Sequence, residues 1–173
     1  SGGSRLDLGD KLEILIDLIT TLRIAQCIIF VNSIEMGNKL HYELQKTLQE
    51  SSIKITPVLV HGSLHAEERD RIFRDFQSGS IRYLISTDLN ARGIDVYGVN
   101  LVINFDMPQL IPDGVATYIH RIGRSGRSGK VGVAISFIYQ GDVDIYIREI
   151  SKNSANNKLE ILPPNNKLDT LLC

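Results

Sequence analysis

The sequence contains no tryptophan, and aromatic residues fill only 6% of its 173 positions. That composition argues against a protein that reads nucleic acid by stacking bases on aromatic platforms. Cysteine is nearly absent too. Cys27 and Cys173 stand at opposite ends and no Cys-x-x-Cys pair occurs, which argues against a zinc or dithiol site and for a reducing compartment. No apolar run approaches membrane-spanning length, and no segment has the layout of a secretory signal. The expectation is an intracellular protein, cytoplasmic or nuclear, without membrane contact. Neither sign of charge dominates: 19 Lys and Arg face 20 Asp and Glu, for a net charge of −1. Any grip on a polyanion must come from a local patch rather than a general field.

What is present fits one domain with a real core: 43% of residues are hydrophobic and 23% charged. Residues 1–7, opening with "SGGS", read as a linker or cloning scar. Then apolar patterns alternate. "DKLEILIDLITTL" places Leu12, Leu15, Ile16 and Ile19 at helical spacing. "QCIIFV", with Cys27 as a small buried hydrophobe, suits a strand covered on both faces. A helix over 33–50 carries Leu40, Leu44 and Leu48 on one stripe, and Pro57 makes the strand in "ITPVLV" start late. A helix over 67–77 follows, then strands in "RYLIST" and "NLVINF", a helix near 116–122, a strand in "VGVAISFI" and a helix over 143–150. Strands alternating with helices at this spacing predict an α/β fold with a parallel sheet, whose ligands gather beyond the carboxyl ends of the strands.

The chemistry-bearing segments fall at those ends. "HRIGRSGRSGK", 120–130, carries Arg121, Arg124, Arg127 and Lys130 among glycines and no acid. Glycine lets backbone approach closely, and arginine offers a planar fork to phosphate oxygens. A plain solvated basic loop is the bland alternative. "GRSGK" is not a P-loop, because Arg124 stands at the first glycine position and Val131 follows the lysine. The stretch therefore reads as cations supplied to a nucleotide held elsewhere. In "STDLNARGID", Thr87 can donate to phosphate and Asp95 can accept from ribose hydroxyls, though Asp95 can equally cap a turn. In "HGSLHAEER", Gly62 and Ser63 precede a helix start that offers free N–H groups, and Arg69 emerges from its first turns. His61 and His65 lack an evident third ligand, so no metal site is expected.

Together these segments resemble the C-terminal RecA-like lobe of DEAD-box RNA helicases. "IIFVNS" is similar to motif IV, "HGSLHAEERDRIFRDF" to motif IVa, "STDLNARGID" to motif V and "YIHRIGRSGR" to motif VI, in the family's order and over about residues 8–153. The resemblance implies a RecA-like three-layer sandwich with a mainly parallel central sheet over 8–162, with 163–173 as a tail. It implies that Arg124 and Arg127 are arginine fingers toward the γ-phosphate of ATP, with His120 beside them in catalysis. Asp95, Arg121 and Gly93 match nucleotide-binding positions. Ser33, Gly62, Arg69 and Thr87 match positions on the RNA backbone, and Arg92 an interlobe or structural contact. ATP with Mg²⁺ would be held mainly by an N-terminal lobe of the same protein, so the lobe is expected to be inactive alone. Partners implied are RNA, gripped without base preference, that lobe, and regulatory proteins. Three positions depart from the family pattern: Ala66 where Gln is usual, Ser33 where Thr is frequent, and Ser128 where an aromatic is common.

Overall fold

The structure, a computed structural model, describes residues 7–22, 24–87, 99–109, 114–125, 132–153, 160–162 and 169–172. Helix α1 (Leu8–Thr21) begins where the Asp7 carboxylate accepts the Asp10 N–H at 2.9 Å. Such a cap contributes about 1 kcal/mol. Strand β1 (Cys27–Val31) is buried at every residue, as its unbroken apolar run requires. Helix α2 (Ile34–Glu50) is capped by the Ser33 hydroxyl, which accepts the Met36 N–H at 3.1 Å. Strand β2 (Val58–Val60) does start just past Pro57. Helix α3 (Ala66–Gln77) carries Glu67 and Glu68 in its first turn and Arg74 in its last, charges that suit the two ends of the helix dipole. Gly79, at φ +83°, takes the left-handed turn after it.

Strands β3 (Tyr83–Thr87), β4 (Leu101–Asn104) and β5 (Val133–Ile138), and helices α4 (Gly114–Ile122) and α5 (Val143–Asn153), complete the alternation, with a short 3₁₀ turn at Gln140–Asp142. The sheet order is β2-β3-β1-β4-β5, all parallel, extended by β7 (Asp169–Leu172) and then β6 (Glu160–Leu162), both antiparallel to their neighbours. The expected RecA-like, mainly parallel sheet is therefore present. β6 and β7 are additions that periodicity did not reveal. β7 lies inside the stretch 163–173 that was set apart as a tail, and it pairs with β5. Four residues of "DTLL" carry no pattern of their own; the open edge of β5 decides their conformation.

Alternation along β1 divides the core. Cys27, Ile29 and Val31 meet Leu15 and Ile19 of α1 and Leu40, Leu44 and Leu48 of α2 on one face. Ile28 and Phe30 meet Ile72, Phe73 and Phe76 of α3, Tyr118 and Ile122 of α4, and Tyr146 and Ile150 of α5 on the other. Each such side chain, fully buried, contributes roughly 1.5–3 kcal/mol. Burial pushes the Cys27 thiol pKa well above its ordinary range, consistent with a packing role.

The first turn of α4 depends on the lack of a side chain at Gly114. A Cβ built there would collide with the Gln109 carbonyl oxygen, a backbone atom with little freedom to move. Gly114→Ala is expected to destabilise the lobe by about 1–3 kcal/mol, as overpacking does. A urea midpoint equal to that of the unmodified chain would show that α4 shifts without cost.

Candidate functional site

Strand register brings the candidate loops to one rim. Val31 lies opposite Thr87, Val60 opposite Ser86, and Phe30 opposite Asn104. The residues that follow, Asn32 and Ser33, His61 and Gly62, and Phe105 and Asp106, therefore leave the sheet at the edge where Thr87 ends β3. Ser33 is exposed; its hydroxyl oxygen caps α2. Arg69 donates from Nη1 to the Gly62 carbonyl at 2.8 Å, which ties α3 to the loop after β2. Gly62 is exposed and Thr87 half-buried. Ser33, Gly62, Arg69 and Thr87 thus line the carboxyl edge of β1, β2 and β3. Next to them the Nδ1 of His61 is buried without a hydrogen-bond partner among the described residues.

The chain leaves β1 through α2 on one face and β4 toward α4 on the other, so the crevice between these strands is the topological switch point. Arg121 fills it. Its residue is 2% exposed. Nη1 donates to the Asp106 carbonyl at 2.6 Å and to Asn104 Oδ1 at 3.3 Å, and Nη2 to Asn32 Oδ1 at 2.9 Å. The guanidinium stands 5.2 Å from the centre of the Phe30 ring. A buried cation survives only when its donors meet oxygens, and here the chain provides them. Asn104 Nδ2 passes the network to Ser136 Oγ at 3.0 Å, and Ser136 to the Tyr118 hydroxyl at 3.3 Å, back on α4.

Asp106 extends it outward. Its Oδ2 accepts the Asn32 N–H at 3.1 Å, and its Oδ1 lies 3.0 Å from Lys11 Nζ of α1. Lys11 also donates to the Phe105 carbonyl at 2.9 Å, and Asn32 Nδ2 to that of Met107 at 2.7 Å. None of Lys11, Asn104, Asp106 or Ser136 was singled out by sequence; Asn32 stands out there only as part of the polar "NS" that follows β1. The available signal was a polar residue inside an apolar run, as Asn104 is in "LVINF".

His120 is exposed on α4. Arg124 is half-buried just past the helix end, where its N–H is bonded to the Arg121 carbonyl at 3.2 Å. Gly123 and Ser125 close the same turn by bonding to the carbonyls of Ile119 and Ile122. Arg92, Gly93, Asp95 and Arg127 lie outside the described residues. The structure thus brings Arg121 to the loop that bears Ser33, and places Ser33, Gly62 and Thr87 along one edge of the sheet with Arg69 tied to Gly62. Among the described residues no three His, Cys, Asp or Glu side chains group as a metal site.

A parallel sheet covered on both faces, with polar loops on one rim, defines an open, doubly wound α/β lobe. Comparison with known proteins narrows the class. The helicase conserved C-terminal domain family matches residues 10–129. The ATP-dependent RNA helicase FAL1 of Saccharomyces cerevisiae is 46% identical over 142 residues, which cover 82% of this chain and 33% of that protein. Eukaryotic initiation factor 4A of Cryptosporidium parvum is 44% identical over 153 residues, covering 88% and 35%. The C-terminal domain of the DEAD-box protein Dbp5 superposes with a TM-score of 0.74 at 36% identity, covering 88% of this chain and 82% of that one. Saccharomyces cerevisiae Dbp5 bound to RNA and ADP BeF3 gives 0.73 at 37% identity, covering 87% and 37%. The chain belongs to the DEAD-box RNA helicases and corresponds to their C-terminal lobe. It spans about a third of the length of these curated relatives.

Proposed function

We propose that this lobe serves an ATP-dependent RNA helicase by supplying Arg124 and Arg127 to the γ-phosphate of ATP held on an N-terminal RecA-like lobe. Ser33, Gly62, Arg69 and Thr87 form part of the RNA-backbone site. Asp95 and Gly93 approach the ribose side of the nucleotide, and Arg92 an interlobe contact. The observation that carries the reading is the filled crevice. Where a sheet of this kind ordinarily seats its ligand, Arg121 is bonded to the chain's own oxygens. The remaining cations are then suited to a nucleotide presented from outside. The Dbp5 relative bound to RNA and ADP BeF3 supports the same pair of ligands.

The fit to the nucleotide is partial in this lobe. The described residues include His120 and Arg124, groups that suit phosphate oxygens, and the family resemblance puts the magnesium ligands mainly on the N-terminal lobe. That ion would neutralise phosphate charge. This chain's own contribution is donors aimed at the charge that develops during phosphoryl transfer, and a surface that grips RNA through its backbone. Closing the two lobes brings both sets together, which makes RNA binding conditional and agrees with the chain's net charge of −1.

The test compares the chain alone with the chain joined to an N-terminal lobe that carries a P-loop. Alone, it should hydrolyse no ATP and bind RNA weakly, since roughly four phosphate-side contacts contribute little at physiological salt. Joined, it should hydrolyse ATP in an RNA-stimulated manner. Tight, salt-sensitive RNA binding by the chain alone would favour a simple basic nucleic-acid module and sink the reading.

A further inference from the structure

Three segments of the chain meet at one residue, Asp106, to which the proposed function assigns no role. Asp106 accepts the backbone N–H of Asn32, which immediately precedes Ser33, and it pairs with Lys11 of α1. Its own carbonyl accepts Arg121 of α4, while Asn32 Oδ1 accepts the second Nη of the same guanidinium. The Arg121 carbonyl in turn accepts the Arg124 N–H. The loop bearing Ser33 and the turn bearing Arg124 are therefore linked through two residues, Asn32 and Arg121, and Asp106 holds both.

We propose that Asp106 is a positioning residue: by anchoring Asn32, Lys11 and Arg121 at once, it sets where the turn carrying Arg124 stands relative to the loop carrying Ser33. It is not a contact residue for nucleotide. Its side chain is 13% exposed, and both carboxylate oxygens are engaged by this chain's own donors. Removing the carboxylate leaves its carbonyl in place but frees the segment that presents it, so the guanidinium of Arg121 loses a fixed seat. A displacement near 1 Å at a phosphoryl-transfer site costs up to about a hundredfold in rate. The effect belongs to turnover and not to ground-state binding.

The inference rests on the proposed role of Arg124, and the experiment separates the two. In an enzyme that joins this lobe to its nucleotide-binding partner, Asp106→Ala should lower kcat for RNA-stimulated ATP hydrolysis by about tenfold and leave KM for ATP within about twofold. Asp106→Asn keeps an oxygen for the Asn32 N–H and should lose less. Hydrogen exchange in the Ala variant should quicken at residues 123–125 while β1 and β3 stay protected. A KM that rises in step with the loss, unchanged turnover, or an Asn variant no better than Ala would overturn the proposal. Should the Ala variant lose protection throughout, Asp106→Asn and Lys11→Met take its place: both must lower kcat with KM unchanged, and normal turnover in either overturns it. Normal turnover in Arg124→Ala would instead defeat the proposed function. The exchange arm would then still report whether Asp106 holds the turn.

Discussion

Arg124→Ala, in an enzyme carrying both lobes, is expected to lower ATP turnover by about 10³-fold or more, the range lost when an arginine finger is removed. The reasoning starts from charge. Negative charge spreads over the phosphoryl oxygens in the transition state, and a guanidinium offers two parallel donors to it without first being reorganised. Arg124→Lys should recover little, because a single ammonium on a flexible stem cannot reproduce the fork. Arg124 is half-buried at the end of a turn, so the loss of turnover should far exceed any loss of stability. Steady-state ATPase rates with saturating RNA, alongside a thermal melt, check both halves. Turnover within about threefold of normal would remove Arg124 from catalysis, because an effect that small falls far below any finger.

Arg121→Ala should act in the opposite way, on the fold first. It leaves Asn32 Oδ1, Asn104 Oδ1 and the Asp106 carbonyl without their donor. Only Asn104 among them is fully buried, and an unsatisfied buried acceptor costs about 1–3 kcal/mol; exposed Asn32 can turn to water. The contact with the Phe30 face is lost as well. A loss of about 2–4 kcal/mol follows from the missing hydrogen bonds and the space that a large buried side chain leaves. For a domain of this size that lowers Tm by roughly 10 °C. Arg121→Lys should restore less than half, because one nitrogen cannot reach oxygens that the guanidinium meets with two. Denaturation of the 173-residue chain measures this directly. A cost under about 1 kcal/mol would mean that the guanidinium leaves its crevice readily, and would return Arg121 to the nucleotide.

These expectations differ because two arginines of one short motif have different surroundings, and the motif alone does not distinguish them. In "HRIGRSGR", Arg121 and Arg124 look alike as phosphate ligands. The periodicity of α4, with Tyr118 and Ile122 buried, hints that position 121 turns inward. It cannot show that Asn32 and Asp106, 89 and 15 residues away in the chain, will be there to receive it. By contrast Ser33 was legible both as the residue opening a helix and as a rim residue, because capping is a local event.

Local chemistry therefore determined a good deal before any coordinates. The apolar run of β1, the Leu40, Leu44 and Leu48 stripe, the late start after Pro57 and the motif order specify five parallel strands, the helices between them and the rim on which polar residues gather. These features arise within a few residues of one another, so the chain encodes them directly. Only the tertiary structure decided the rest. It turned Arg121 into a buried brace, made Asp106 a junction of three chain segments, and drew β7 onto the open edge of β5. Each depends on what a distant segment offers: an oxygen for a buried cation, a partner for an unpaired strand. Burial makes such long-range matches energetically compelling, and a linear sequence does not display them.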